Sequence, residues 1–264
     1  MIMEIVDVTP DQAGIWLDAN TRNRSIVTSL VQAYARDMLA GNWLLNGEAV
    51  KIARDGFILD GQHRLQAIRK AGVTVRMLVV SDLEPETQKT MDSGRKRTFA
   101  DNLKIDGVGY GAIAAAAAVA MRGWMWDTGD RRLIGSVRPT QSEMREWMEK
   151  NPVVARSAEI ASRSRTAFKP TPQAVAGLAH TLFSRVDQGD TAEFFARFAS
   201  GAGLDSSDAI LTLRNRLIRD AMEKRHSPDA VKLGLFIKAW NAFRADETIS
   251  GLVMTPDGKM PEPK

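Results

Sequence analysis

The chain has 264 residues, of which 44% are hydrophobic and 26% are charged, and its formal net charge is +4. This composition predicts a globular protein with a substantial core, and the mild positive charge permits nucleic-acid binding without demanding it. The absence of cysteine excludes disulfides, thiolate metal sites and a cysteine nucleophile, and three widely spaced histidines argue against a structural zinc site.

The N-terminal hundred residues alternate between strand-like and helix-like segments. Residues 4–8 alternate like a short strand, and Thr9-Pro10 then predicts a helix start, with Thr9 as N-cap and Pro10 in the first turn. The further predicted elements are a helix over 25–39, strands over 48–53 and 57–59 joined by a turn at 54–56, a helix over 60–71 closed by Gly72, a strand over 73–80 and a short helix over 85–91. This alternation predicts a compact unit with a small mixed sheet.

After Thr98 the strand signals nearly vanish, and helical patterns separated by proline-containing joints follow. The predicted helices cover 100–102, 111–122, 141–150, 153–163, 171–186, 191–199, 208–224 and 229–244. Four tryptophans in this half are expected to anchor helix packing, namely Trp124, Trp126, Trp147 and Trp240.

The expected fold class is therefore α+β, with a small mixed-sheet N-terminal domain over 1–100 and an all-helical domain over 101–254. Residues 255–264 contain three prolines and are expected to form a disordered tail. No apolar run reaches the roughly 20 residues of a membrane-spanning helix, so no membrane partner is expected. The N-terminus carries Glu4 and Asp7 and lacks the layout of a signal peptide, which with the lack of cysteine predicts a cytoplasmic protein.

The segment Asp60-Gly61-Gln62-His63-Arg64 has the strongest chemical signal. It lies between a predicted strand and a predicted helix, where backbone N–H groups and the positive end of the helix dipole attract an anion. Gly61 permits a close approach of the backbone, Arg64 can form two parallel hydrogen bonds to a phosphate, and His63 can donate to a phosphate or transfer a proton. The alternative is a charged turn in which Asp60 caps the helix and Arg64 is simply exposed.

Glu48 and Asp60 are the candidate carboxylates. Glu48 precedes the strand that runs antiparallel to the one leading into Asp60, so its carboxylate is expected near the same phosphates. Either carboxylate is suited to bind Mg²⁺ or to accept a proton from an attacking hydroxyl group. The alternative for Glu48 is an exposed turn residue.

Two basic segments are further candidates. Arg95-Lys96-Arg97-Thr98 follows a turn and leads into a helix, a geometry suited to nucleotide phosphates or to a nucleic-acid backbone, and its alternative is a solvated loop. Asn23 is expected to cap the next helix and Arg24 to reach an anion. Trp43 favours core packing over stacking on a base.

The segment at 60–64 resembles the phosphate-binding box of the ParB/sulfiredoxin superfamily. That box reads Gly-Glu-Arg-Arg in ParB proteins, Gly-Cys-His-Arg in sulfiredoxin and Asp-Gly-His-His-Arg in the free-serine kinases of the fold, and this chain is most similar to the last. Other segments resemble ParB-like proteins of actinobacteria and their phages in the same order along the chain. These segments are Asn23-Arg24, residues 34–38, Gly41-Asn42-Trp43, Asn46-Gly47-Glu48 and residues 91–98, with a later stretch at 239–244.

The resemblance implies a ParB/sulfiredoxin-like N-terminal domain that binds ATP or CTP together with Mg²⁺. By position, Gly61, Gln62, His63 and Arg64 would hold the phosphates. Gln62 stands where sulfiredoxin has its cysteine, so that sulfur chemistry is impossible here. Gln62 and His63 also replace the ParB Glu-Arg pair, which departs from the pattern of a CTP-dependent clamp.

The first functional hypothesis is an NTPase or kinase of this fold, in the host cytoplasm if a phage encodes it. The box and Arg24 would hold the phosphates, Glu48 and Asp60 would hold Mg²⁺, and a catalytic group among Glu48, Asp60 and His63 would activate water or a hydroxyl in DNA or a small molecule.

The second hypothesis is a nucleotide-gated DNA-binding protein, partition-like or regulatory, in which residues 95–98 contact DNA phosphates. A third is a module that only binds the nucleotide. The expected partners are thus a nucleotide first and DNA second, with a homodimer left open.

Overall fold

The structure is a computed structural model that describes residues 1–20, 23, 25–91, 97–105, 112–135, 137–254 and 259–264. The chain divides into two compact units, one comprising Met1–Lys96 and Ser136–Ser142 and the other Arg97–Gly135 and Glu143–Lys264. The described residues form a mixed α+β chain with a small four-stranded mixed sheet and many helices, which confirms the predicted fold class. The ParB/sulfiredoxin-like arrangement of the first unit stays a prediction.

The first unit contains the sheet. Its elements are β1 (Ile2–Val8), α1 (Pro10–Asp18), α2 (Thr28–Leu39), β2 (Ala49–Ala53), β3 (Ile58–Asp60), α3 (Gln62–Ala71), β4 (Val75–Leu83) and a 3-10 helix (Pro85–Thr90). The strand order is β1-β4-β2-β3, in which β4 runs antiparallel to β1 and parallel to β2, and β2 runs antiparallel to β3. The predicted cap of α1 is confirmed, because the Thr9 hydroxyl accepts a hydrogen bond from the Gln12 N–H at 3.1 Å.

The apolar core of the first unit fixes where α3 begins. Val50 of β2 and Ile58 of β3 are fully buried, and they share one cluster with Leu65 and Ile68 of α3. Alternate strand residues and every third or fourth helix residue therefore face the same core. This packing holds residues 60–64 at the junction of β3 and α3, beside the start of β2.

Residues 136–142 return to the first unit. The Arg36 guanidinium of α2 donates to the Arg138 carbonyl at 2.8 Å, and the Thr140 hydroxyl donates to the Asp37 carboxylate at 2.7 Å. The first unit is thus built from two separate stretches of the sequence.

All regular secondary structure among the described residues of the second unit is helical. Its helices are α4 (Phe99–Ile105), α5 (Ile113–Asp127), α6 (Gln141–Lys150), α7 (Val154–Ala167), α8 (Gln173–Ser184), α9 (Gln188–Ser200), α10 (Ala209–Met222) and α11 (Asp229–Arg244). The first two residues of α6 belong to the first unit. Trp126, Trp147 and Trp240 are at most 5% exposed, which agrees with their expected role as packing anchors. No helix in the part of the chain described here is both long and apolar enough to cross a membrane.

Two ionisable groups are integrated into the packing of this helical unit. His180 Nδ1 lies 2.9 Å from the Ser157 hydroxyl, and burial together with the nearby Arg156 charge lowers the pKa of His180 to about 4. Asp127 accepts a hydrogen bond from the Trp147 indole at 2.7 Å and two from Arg185 at 2.9 and 2.7 Å. Burial alone would raise the pKa of Asp127, but these hydrogen bonds outweigh burial and lower it.

The C-terminal residues 259–264 make specific contacts with α11. The Trp240 indole donates to the main-chain oxygen of Lys264 at 3.1 Å, and the Asn241 side-chain amide donates to the Glu262 carbonyl at 2.9 Å. Residues 255–258 of the predicted tail lie outside the described residues.

Candidate functional site

Gly61 forms the corner between β3 and α3. Its φ of +101° lies in the left-handed region, and a Cβ placed there would lie 3.1 Å from both Cα and Cγ2 of Val50. The backbone conformation and the close approach of Val50 therefore both favour glycine. Asp60 is the last residue of β3, and α3 starts from Gly61 without a side-chain cap, so Asp60 does not cap this helix as the simpler alternative supposed.

Arg64 is fixed to the start of β2. One terminal nitrogen, Nη1, donates to the Ala49 carbonyl at 2.6 Å, and the other, Nη2, donates to Glu48 Oε2 at 2.8 Å. The Arg64 side chain is only 14% exposed, and its Nη1 lies 3.8 Å from Asp60 Oδ2. Arg64 is thus not simply exposed, as the simpler alternative supposed; it lies between two carboxylates.

The two carboxylates differ in their surroundings. The Glu48 side chain is 67% exposed, whereas that of Asp60 is 15% exposed and lies 3.7 Å from Lys51 Nζ. Lys51 and Asp60 are cross-strand partners, which explains why their side chains meet on one face of the sheet. Within the described part of the chain, no group donates a hydrogen bond to the Asp60 carboxylate. Its oxygens can therefore bind a cation or accept a hydrogen bond from a ligand.

Gln62 and His63 are buried, at 5% and 6% exposure. His63 Nε2 accepts a hydrogen bond from the Val27 N–H at 3.0 Å, so this nitrogen carries no proton in the structure. Gln62 Oε1 lies 3.5 Å from the Asn20 amide nitrogen. Through these contacts, residues that precede α2 bind to the first turn of α3. The predicted phosphate-binding role of both side chains and the proton-transfer role of His63 stay predictions.

A set of side-chain amides covers the carbonyl groups of the edge strand β3. The Asn23 amide donates to the Ile58 carbonyl at 2.6 Å, and the Gln88 amide donates to the Leu59 carbonyl at 3.2 Å and to Asn23 Oδ1 at 3.3 Å. Asn23 was expected to cap α2, but that helix begins five residues later, at Thr28, out of reach of such a cap. No sequence pattern pointed to Gln88, which is 65 residues from Asn23 along the chain.

Tyr34 lies near the charged groups of the site. The sequence pattern did not indicate this, because Tyr34 occupies an apolar position of α2. Burial raises the pKa of the Tyr34 phenol, the nearby Arg64 charge opposes that rise, and the Glu48 and Asp60 charges add to it. The phenol is therefore a neutral hydrogen-bond donor near the carboxylates at physiological pH. Trp43 meets Tyr34 edge to face, with ring centroids 5.2 Å apart, and packs on the core cluster as expected.

Three basic residues of the predicted anion sites, Arg24, Arg95 and Lys96, lie outside the described residues. Their predicted contacts with nucleotide or DNA phosphates stay predictions.

Arg97 and Thr98 belong to the second unit, where Arg97 is exposed. The Thr98 N–H donates to Asp101 Oδ2 at 2.9 Å, and the Asp101 N–H donates to the Thr98 hydroxyl at 3.2 Å. This reciprocal capping places the Asp101 carboxylate at the start of α4, where the sequence predicted a phosphate. The predicted anion-binding role of Arg97 and Thr98 stays a prediction.

The carboxylates beside Arg64 are compatible with an Mg²⁺ ion that binds together with a phosphate-containing ligand. No group of three or more His, Cys, Asp or Glu residues within the described ranges is arranged to hold a metal ion. Mg²⁺ commonly uses only one or two protein carboxylates when substrate phosphates supply further oxygens. Glu48 and Asp60 both lie within 4 Å of Arg64, so they fit an Mg²⁺ ion whose other ligands come from substrate phosphates.

A separate cleft of about 380 Å³ lies between α2 and α3. Its lining residues are Ile26, Thr28, Val31, Gln66, Arg69 and Lys70. Glu48, Asp60 and Arg64 do not line it, so the carboxylate–arginine cluster is a distinct surface.

We expect Gly61→Ala to destabilise the first unit by about 2 kcal/mol and Gly72→Ala by about 1 kcal/mol. Both glycines flank α3 and have positive φ, but only Gly61 is close to another residue, Val50, whereas nothing lies within 4 Å of a Cβ at Gly72. Urea unfolding of the two variants measures the difference. Equal losses would show that the approach to Val50 does not constrain the corner.

Comparisons with protein-family models, with curated proteins and with solved structures found no match for this chain.

Proposed function

We propose that the protein binds a nucleoside triphosphate, ATP or CTP, at the corner formed by Gly61 and Arg64. With Mg²⁺ it hydrolyses the nucleotide or transfers its γ-phosphoryl group to a hydroxyl group in DNA or in a small molecule. One observation carries the proposal: a mostly buried guanidinium, fixed by the Ala49 carbonyl, lies between the Glu48 and Asp60 carboxylates at the start of a helix. The resemblance of the box to the free-serine kinases adds support for transfer, and a ParB/sulfiredoxin-like first unit is part of the same proposal.

Arg64 and Gly61 have complementary roles in holding phosphate. Arg64 supplies charge-assisted hydrogen bonds, and its anchored position orients them before the ligand arrives. The left-handed Gly61 removes the side chain that would separate a phosphate from the first turn of α3, where the helix dipole favours an anion.

Glu48 and Asp60 are the residues that would hold Mg²⁺, and when bound the ion neutralises the charge that develops on the phosphoryl group. Glu48, as the exposed carboxylate, is suited to accept the proton of the attacking water or hydroxyl group. His63 acts in this proposal through its contact with Val27, which positions the chain beside α3.

The decisive test is to incubate the protein with labelled ATP or CTP and Mg²⁺, with and without duplex DNA, and to follow hydrolysis and label transfer. We expect Arg64→Ala to weaken nucleotide binding by roughly 30- to 100-fold, because charge-assisted hydrogen bonds are lost. We expect Glu48→Gln to keep binding in Mg²⁺ and to slow turnover by about 100-fold. Arg54→Ala is the matched control, because Arg54 is also paired with a carboxylate, Glu84, but lies outside the cluster.

The same assay separates the alternatives. Tight nucleotide binding without turnover in the unaltered protein would favour the nucleotide-gated DNA-binding protein. Salt-dependent DNA retention that weakens when Arg95, Lys96 and Arg97 are neutralised would then support that role. Failure to bind any nucleotide would contradict both.

A further inference from the structure

We infer that the Glu48 carboxylate competes with phosphate for Arg64, and that phosphate binding therefore depends on a divalent cation. This inference rests on the proposed phosphate role of Arg64. It adds a regulatory property of the site: the protein discriminates between a metal-bound and a metal-free polyphosphate before any chemistry occurs.

The hydrogen bonds of Arg64 show the competition. Its Nη1 is engaged with the Ala49 carbonyl at 2.6 Å, so Nη2 is the terminal nitrogen better placed for an incoming anion. Glu48 Oε2 accepts from that nitrogen at 2.8 Å. A phosphate oxygen that binds Nη2 therefore either takes the N–H that Glu48 accepts from or lies next to the carboxylate, whose negative charge repels it.

Exposure identifies which partner moves. The Arg64 side chain is 14% exposed, whereas that of Glu48 is 67% exposed, so the carboxylate can turn into solvent while the guanidinium stays. The backbone around Glu48 is fixed: Asn46 Oδ1 accepts from the Glu48 N–H at 3.0 Å, and β2 begins at Ala49. Release of Arg64 thus requires only a side-chain rotation of Glu48.

The charges explain why a cation matters. Glu48 and Asp60 together balance Lys51 and Arg64, so the four side chains present no net charge to a polyphosphate. If Glu48 turns toward a divalent cation that arrives with the phosphate, Arg64 becomes available and the carboxylate stays paired. Cation and phosphate then strengthen each other's binding, because such coupling is reciprocal.

The test uses Glu48→Gln and a matched control, Glu84→Gln. Glu84 is also well exposed, at 57%, and is also paired with an arginine, Arg54, so both variants lose one negative charge from an exposed glutamate that contacts an arginine. Isothermal titration calorimetry of the intact chain with inorganic tripolyphosphate, once in EDTA and once in excess Mg²⁺, measures the affinity of each protein for both forms. Circular dichroism confirms that each variant is folded.

We expect Mg²⁺ to strengthen tripolyphosphate binding about tenfold in the unaltered protein and in Glu84→Gln. Glu48→Gln should bind metal-free tripolyphosphate about tenfold more tightly than the unaltered protein and respond to Mg²⁺ by less than about threefold. The inference is overturned, with the proposed function intact, if the unaltered protein binds and Glu48→Gln binds metal-free tripolyphosphate no more tightly than Glu84→Gln does. Absence of binding in every protein under both conditions overturns the proposed function as well.

Discussion

The free energy of unfolding of the helical unit should fall by about 3 kcal/mol between pH 6.5 and pH 4 because of His180 alone. Burial first, and then the Arg156 charge, lowers the pKa of His180 from 6.5 to about 4 in the folded protein. Between these two values the unfolded chain binds a proton that the folded chain does not, so the stability present above pH 6.5 is lost as the pH falls. Urea unfolding followed by tryptophan fluorescence at several pH values measures this loss.

His180→Asn isolates the contribution. An asparagine amide can donate or accept in place of His180 Nδ1 in the hydrogen bond with Ser157, but it does not titrate. The variant should be less stable at pH 7, because the ring contact with Phe195 at 5.1 Å is lost, yet its stability should vary less between pH 6.5 and pH 4. An unchanged slope would assign the pH dependence to another group.

Gly123→Ala should destabilise the helical unit by about 3 kcal/mol, at the upper end for overpacking a core. A Cβ at Gly123 of α5 would lie 2.1 Å from Cζ2 of Trp147, far closer than van der Waals contact with the indole ring allows. The ring cannot easily withdraw, because it is 5% exposed and its N–H donates to Asp127, also on α5, at 2.7 Å. Urea unfolding monitored by circular dichroism measures the loss.

Gly234→Ala is the matched control, since Gly234 is also a buried glycine within a helix of the same unit. The nearest atoms to its added Cβ would all belong to the flexible side chain of Met254, with Cε and Sδ both at 2.6 Å and Cγ at 3.1 Å. We expect a change within about 1 kcal/mol, because the thioether can rotate away and alanine favours the helix. A loss in Gly123→Ala no greater than in this control would contradict a rigid contact between Gly123 and Trp147.

Local signals predicted most elements because they are set by neighbouring residues. The Thr9-Pro10 start, the Gly72 end and the helical periods of the second half act over one or two turns, and the structure follows them. The start of α2 was predicted at Ser25 but lies at Thr28. There the Val27 N–H is bound by His63, a contact over 36 residues that no local pattern contains.

Only the charged residues of the candidate site could be predicted from the sequence. Glu48, Asp60 and Arg64 stand out because charges close to strand ends are chemically conspicuous, and the β2–β3 hairpin brings them together. Tyr34 and Gln88 approach through the packing of other elements, and a phenol in an apolar helix pattern resembles a core residue. The burial of Gln62 and His63 could not be predicted either, because it involves contacts with Asn20 and Val27, about 40 residues earlier in the chain.

The return of residues 136–142 to the first unit has a consequence for the modularity of this protein. A fragment ending near residue 100 would contain the sheet and the Arg64 cluster, but it would lack the Arg138 carbonyl and the Thr140 hydroxyl that bind Arg36 and Asp37 on α2. A fragment of the gene that ends near residue 100 therefore cannot transfer the complete N-terminal unit to another protein. Residues 97–135, which include α4 and α5, lie between its two stretches and would have to be transferred as well.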